Sequence, residues 1–371
     1  MKRVLCQPRE NWPSRLEAMG FDYHTLDGDP YWSEGVCYHF SATEIDQLEA
    51  VTQELHDMCL DLVDSTVSDG RYEAFSLSDK AASLVEQSWK AREPALMGRM
   101  DLCFDGRSTA KLYEYNADTP TSLFEAAAIQ WFWLKDVYPH ADQFNSIHER
   151  LIEAWRRRWP TPPRKVHFAS FTPSREDEAN AEYLRDTCAQ AGHQTVGIDI
   201  SDIGWKRALF VDLEDAPISH LFKLYPWEWL LDEPFAQHLP AAQTEWIEPA
   251  WKMLLSTKAL LPALWQRHPR HPNLLPSSFD GKGLVGPVVA KPRLGREGAG
   301  VEVFASASIA LTQRALSDVV LQEYRPLPSF DGHRPVIGSW VIGREAAGIG
   351  IRESLTDITS NASRFVPHFF E

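Results

Sequence analysis

The sequence predicts an α+β protein, on three observations: helix-period stretches behind capping signals, two strand-like runs about an Asp-Gly turn, and a strand–helix–strand succession after a proline cluster. At 371 residues and 44% apolar content the chain can fill a substantial core, as one large unit or two to three closely joined subdomains. The first forty residues are rich in aromatics and turn formers. Ser41 to Val67 then repeats apolar residues at helical spacing behind Ser41-Ala42-Thr43-Glu44, a capping-box start. A second helix is expected around Ser78 to Ala91, and the runs Leu96 to Phe104 and Ala110 to Asn116 read as strands of a hairpin turning at Asp105-Gly106-Arg107-Ser108. Ser122 to Trp133 and Gln143 to Trp159 read as helices, the latter closing in Arg156-Arg157-Arg158, where cations suit the negative end of the helix dipole.

Trp159-Pro160-Thr161-Pro162-Pro163 is the clearest punctuation, because such proline density fits neither a helix nor a central strand. It suggests a division into residues 1–160, 161–215 and 216–371 within one integrated unit. Beyond it, Lys165 to Phe171, Glu176 to Ala191 and His193 to Ile198 form a βαβ-like unit, and Arg207 to Leu213 is expected to continue its sheet. Trp246 to Gln266 reads as helical, followed by a Pro-rich link and short strands separated by glycines.

Composition narrows the function. A formal charge of −15 argues against a nucleic-acid-binding surface, which needs clustered Lys and Arg. Five cysteines with no CxxC pair fit reduced thiols better than a disulfide framework or a zinc site. The start Met-Lys-Arg-Val-Leu-Cys lacks a signal peptide's apolar stretch, and no run approaches the length of a spanning helix, so no membrane insertion and a cytoplasmic location are expected. The 14 tryptophans are scattered through amphipathic segments and read as buried or pocket-lining rings.

Two constellations could carry chemistry. Gly98-Arg99-Met100-Asp101 is followed across the turn by Glu114-Tyr115-Asn116-Ala117-Asp118. Residues two apart on a strand share a face, so a hairpin would gather Arg99, Asp101, Glu114 and Asn116. Two carboxylates and an amide oxygen suit a Mg²⁺ ion bridging ATP phosphates, and spacing alone equally fits an exposed polar face. The second is an apolar strand ending in Lys291, then a glycine-rich loop, Gly295-Arg296-Glu297-Gly298-Ala299-Gly300. Its backbone could cradle phosphates beside the lysine or simply join two strands, and it is neither a Walker loop nor GxGxxG. Lys258 on an apolar helix, Gln322 and Glu323 at a strand end suited to an adenine amine, and Arg352 as a two-pronged anion anchor complete the candidates. No GxSxG elbow, HExxH helix or kinase-type HRD loop is present.

Assembled, these residues resemble the synthetase domain of the glutathionylspermidine synthase family and its shorter acid–amine ligase relatives. The motifs are Arg99-Met100-Asp101, Tyr113 to Asp118, Glu248-Pro249-Ala250-Trp251-Lys252, Ser256 to Pro262, His271 to Pro276, and Ala290-Lys291-Pro292 with its glycine loop. The resemblance runs from about Arg9 to the C-terminus. It implies an ATP-grasp-like fold with permuted element order and a ligase joining an acid to an amine through an acyl phosphate. Residue by residue it implies Asp101, Glu114 and Asn116 as Mg²⁺ ligands and Arg99 and Arg352 as catalytic arginines. It further implies Lys258 and Lys291 on ATP, Arg296 and Gly298 in the phosphate lid, and the acid near Thr121 and Ser122, while Gln322 and Glu323 remain the candidate adenine edge read from the strand itself. Bifunctional members carry an N-terminal cysteine amidase, whereas this chain begins at the synthetase region, so amide hydrolysis is not expected. Those members also have Ser and Cys where this chain reads Thr119-Pro120-Thr121-Ser122. The partners implied are small acids and amines of open identity. The alternative is a nucleotide-binding regulator with vestigial ATP hydrolysis.

Overall fold

The computed structural model describes every residue except 27, 162, 297, 316, 317 and 360–362. Its centre is a five-stranded antiparallel sheet in the order Arg364–Val366, Glu345–Ser354, Arg334–Ile342, Met97–Cys103, Lys111–Asn116. The hairpin forms where the sequence places it, with Asp105 accepting from the Arg107 and Ser108 N–H groups to close the turn. Helix Ala42–Asp69 packs on one face and is tied down where the Thr52 and Ser339 hydroxyls meet at 2.6 Å. Ser41 and Glu44 complete the capping box, and Gly70, at φ +65°, ends the helix. Helix Ile147–Arg158 and the segment Glu125–Ile129 cover the other face, so all of Met97–Cys103 is buried. The triplet Arg156-Arg157-Arg158 forms the last turn of its helix.

A parallel four-stranded sheet runs Glu245–Ile247, His220–Leu224, Lys165–Ser170, Gln194–Asp199, with helix Arg175–Gln190 as the crossover of the expected βαβ unit. Leu209–Val211 does not continue this sheet. It pairs with Gly204–Lys206 in a separate ribbon, because Arg207 and Ala208 take left-handed φ values of 52° and 64° and fold the chain back on itself. Nor is Trp246 to Gln266 one helix. It opens as the strand Glu245–Ile247, passes Pro249 into the turn Ala250–Lys252, and only then forms Met253–Ser256 and Leu260–Arg267, broken by Thr257 in extended backbone.

The third sheet, Ser277–Ser278, Val319–Glu323, Val288–Pro292, Glu302–Phe304, is antiparallel and builds its own small core with helix Ala307–Gln313. Two buried ion pairs fasten the hairpin to the parallel sheet. Lys223 Nζ donates to Asp118 Oδ1 at 2.7 Å while the Trp227 N–H donates to the other oxygen, and Lys252 meets Glu248, whose carboxylate also accepts from the Leu96 and Met97 N–H groups. No helix among the described residues is long and apolar enough to cross a membrane.

Candidate functional site

Antiparallel register sets Asp101 opposite Glu114 and Arg99 opposite Asn116, so all four side chains share one face of the hairpin. Arg352 reaches the same place from two strands away. Between them, Gly338 faces Asp101 on the intervening strand, and a Cβ there would lie 2.9 Å from Arg99 Cδ, so the glycine is the room in which Arg99 lies. Arg99 Nε donates to Asp101 Oδ1 at 2.9 Å and Arg352 Nη2 to Oδ2 at 2.5 Å. The Asn116 amide donates to Glu114 Oε1 at 3.0 Å, and Lys258 Nζ stands 2.9 Å from Glu114 Oε2.

Lys291 comes from the third sheet and donates to the Tyr113 carbonyl at 2.7 Å and to Gln322 Oε1 at 2.8 Å. The strand therefore uses Gln322 as a lysine acceptor. Glu323 lines the same cavity, its Oε1 3.4 Å from the Val285 nitrogen. Leu275, Val289, Val303 and Val336 give that cavity apolar walls, and Asp101, Glu114 and Lys291 line it too. The glycine loop closes over it. Gly298 is at φ +70°, and a Cβ there would lie 2.5 Å from the Thr359 carbonyl oxygen, so the loop lies directly on the 357–359 segment. Lys258 Nζ donates to Gly295 O at 3.1 Å and anchors the loop's start. Glu297, the acidic residue expected in that loop, lies outside the described residues.

The structure does not bring Arg296 to this cavity. It donates to Thr119 Oγ1, pairs with Glu228 at 2.9 Å and lies 5.5 Å over the Trp229 ring. Thr121 and Ser122 sit beside the arginines: the Thr121 carbonyl accepts from Arg99 Nη1, and Ser122, at φ +63°, turns its hydroxyl to within 3.4 Å of the Tyr31 hydroxyl.

Tyr31 leads to a buried acidic cluster that the sequence did not announce. It donates at 2.7 Å to Oε1 of Glu125, which is wholly buried, and among the described residues Glu125 Oε2 has no hydrogen-bond partner. Glu176 adds its field to Glu125, Tyr31 and Tyr23 and also acts on Arg352, so this acidic, phenolic cluster adjoins the site. The signal in the sequence was one acid inside Leu123-Phe124-Glu125-Ala126-Ala127-Ala128-Ile129, an apolar run whose backbone winds as a π-helix over Glu125–Ile129.

Electrostatics divide these groups. Burial pushes the Glu114 carboxyl up, but Lys258 and Lys291 outweigh it and hold it well below the usual carboxylate range. Burial pushes Lys291 down to about 8 against the pull of Glu114. Burial, then Glu176, raises Glu125 to about 8, against the hydrogen bond from Tyr31. Arg352 stays above its ordinary value although burial opposes it, because Asp101 and Glu114 favour its charge. Among the described residues no group of three or more His, Cys, Asp or Glu is placed to share a metal ion. The oxygen donors here are two carboxylates and one amide.

The architecture is that of a mixed α/β, glutathione-synthetase-like protein: a glutathione synthetase-like effector from Globodera pallida superposes with a TM-score of 0.60 over 90% of this chain and 89% of its own, at 13% identity. Within that class the chain belongs to the glutathionylspermidine synthase preATP-grasp family, whose model matches residues 3–371. A Haemophilus influenzae protein named as a candidate acid–amine ligase is 45% identical over the whole of both chains. Trypanothione synthetase of Crithidia fasciculata is 26% identical over 95% of this chain but only 57% of its own length.

Proposed function

We propose that this chain is an ATP-dependent acid–amine ligase that activates a carboxylic acid as its acyl phosphate and joins it to an amine. The observation that carries this reading is that Lys258 pairs with Glu114 and Arg352 with Asp101, and that both carboxylates line one largely apolar slot together with Lys291. Family membership and the ligase and synthetase names of the relatives support it. We also assign an ATP-grasp-like fold in permuted order, since the carboxylate hairpin precedes both lysines in the chain.

An aromatic base suits the slot between Leu275, Val289 and Val336, and its phosphates would run toward Lys258 and Lys291. Asp101, Glu114 and the Asn116 amide oxygen are the residues that would hold Mg²⁺; they fit because Mg²⁺ takes hard oxygens, keeps few protein ligands and uses substrate phosphates for the rest. Bound there, the ion would offset charge on the phosphates. The same carboxylates now neutralise Arg99, Arg352 and Lys258, so nucleotide binding exchanges internal ion pairs for phosphate contacts. Arg99 and Arg352 are thereby freed to hold equatorial oxygens while an oxygen of the acid attacks the γ-phosphorus and ADP leaves. Thr121 and Ser122, next to Arg99, would bind the acid. The amine nitrogen then bonds to the acyl carbon, and phosphate departs. Glu125 Oε2, buried and without a hydrogen-bond partner among the described residues, would receive the ammonium group of the amine substrate. The loop at Gly298, resting on Thr359, keeps water from the acyl phosphate. The acid in this reading is peptide-like or glutathione-like.

The test is ADP release with Mg²⁺ across a matrix of acids and amines, including glutathione and spermidine, with mass spectrometry of products. Release requiring one acid and one amine, with an amide mass, establishes the ligase. Binding of ATP without stimulated turnover supports the regulatory alternative instead, and a stable phosphorylated acceptor indicates a kinase.

A further inference from the structure

Glu125 opens a single turn of π-helix, and side chains hold that turn. The Gln130 N–H donates to the Glu125 carbonyl, five residues back, where an α-helix would send it to Ala126. The Ala126 carbonyl accepts instead from the side chain of the same residue, Gln130 Nε2, at 2.6 Å, and the Ala127 carbonyl from Asn145 Nδ2 at 3.1 Å. One residue of an α-helix turns about 100°, so closing the wider turn to α-helical register would swing Glu125 by that angle away from Tyr31. We propose that Gln130 is a positioning residue for the amine: its side chain stands in for a backbone donor and so holds the π-turn that presents Glu125. The proposal rests on the reading of Glu125 as the acceptor of the ammonium group.

The hydrogen bonds around Gln130 leave it no other pose. Its side chain is wholly buried, and Nε2 faces two carbonyls, Ala126 and, at 2.8 Å, Ile349, which can only accept. Both amide protons are therefore spent, and the amide oxygen faces His368 Nδ1 at 2.9 Å, so His368 carries its proton there. Burial pushes the His368 pKa down to about 3; the ring is neutral wherever Glu125 titrates, and the clamp does not change with pH in that range. Gln143 joins the two clamps, donating to the His368 carbonyl at 2.8 Å and accepting from Asn145 Nδ2 at 2.9 Å. Ile349 lies three residues before Arg352 on strand Glu345–Ser354, so Gln130 also ties Glu125 to the strand that carries an arginine of the nucleotide site.

The start of the segment is fixed as well. Asn180, wholly buried on helix Arg175–Gln190, accepts from the Leu123 N–H and donates to the Glu176 carbonyl, both at 2.8 Å. With both ends tied, the π-turn decides where Glu125 points. Glu176 from that helix and Tyr31 and Tyr23 from the first forty residues face its carboxyl: burial, then Glu176, raises its pKa, and the two tyrosine hydrogen bonds oppose them. A Glu125 swung out of this enclosure loses the burial and the neighbouring charge and titrates as an ordinary carboxylate.

The experiment follows Glu125 directly. Protein labelled with ¹³C at the glutamate carboxyls is titrated by NMR, the Glu125 signal being the one absent from Glu125→Gln. It should titrate near pH 8 in the wild-type chain. In Gln130→Met, which keeps the volume and removes the donors, it should fall by more than about one pH unit, and in Asn145→Ala it should move part of the way. The KM for the amine selected by the acid–amine matrix should rise about tenfold in Gln130→Met while the KM for ATP stays put, a split that general loosening of the fold would not produce. A Glu125 signal that stays near 8 in a Gln130→Met chain with unchanged circular dichroism overturns the proposal. If that variant does not fold, the same constancy in Asn145→Ala overturns it. A signal that moves while the amine's KM does not would keep Gln130 as the residue that holds Glu125 and remove Glu125 from the amine site, so the two failures are distinct.

Discussion

Lys291 and Glu125 titrate in the same range with opposite consequences for their ligands. Lys291, pushed down to about 8, is cationic below that pH, so its attraction for phosphate is present at neutrality and fades as pH rises through 8. Glu125, raised to about 8, is neutral below that pH and gains its charge as pH rises, so affinity for an ammonium group strengthens over the interval in which nucleotide affinity weakens. Activity should therefore pass through a maximum near pH 8. The KM for the amine should fall toward that pH and the KM for ATP should climb beyond it. Lys291→Arg should flatten the ATP limb and Glu125→Gln the amine limb; limbs that persist in these variants would assign the titrations elsewhere. Glu114 makes a sharper case. Lys258 and Lys291 keep it ionised at any working pH, so Glu114→Ala should abolish Mg²⁺-dependent ATP turnover while the protein stays folded. Unchanged turnover, with circular dichroism as the fold control, would remove Glu114 from the metal site.

At the scale of elements, the hairpin is held by contacts along its own strands, whereas the glycine loop is held only by neighbours outside it, Lys258 at Gly295, Thr119 and Glu228 at Arg296 and the 357–359 segment at Gly298. Gly298→Ala forces a left-handed backbone on alanine, at a cost of roughly 1–2 kcal/mol, and drives a methyl into the Thr359 carbonyl. The docked loop should open, leaving the acyl phosphate exposed. The expected signature is uncoupling: phosphate released should exceed amide formed, whereas equal amounts in this variant would mean that this loop does not exclude water. The hairpin was legible because Asp105-Gly106 names its own turn and the alternation of Glu114, Tyr115 and Asn116 fixes the faces. The capping box was legible for the same local reason. Trp246 to Gln266 was not, because apolar density over a strand, a turn and two short helices imitates one buried helix, and only tertiary packing chooses. Glu125 stayed hidden because an apolar run gives no sign that one acid is held inward against a tyrosine from the first forty residues.

Across the whole molecule the site is assembled from distant pieces, with the hairpin near residue 100, Lys291 on the third sheet and Arg352 near the C-terminus, and no periodicity reports that they meet. Their meeting depends on fasteners whose character is also invisible in the sequence. Asp118 and Lys223 are both wholly buried, 105 residues apart, and Asp118 additionally holds the Trp227 N–H. Burial lowers the Lys223 pKa against the opposing pull of Asp118, so the ammonium depends on that carboxylate. Removing one partner leaves the other desolvated and alone, which costs about 3–5 kcal/mol. Asp118→Ala and Lys223→Met should each show that loss in urea unfolding, and the double variant should lose clearly less than the two single losses added together. Strict additivity would mean that the two groups are stabilised separately. Because Asp118 ends the segment that carries Glu114 and Asn116, nucleotide affinity should fall with stability in the single variants and recover in part when both charges are removed together.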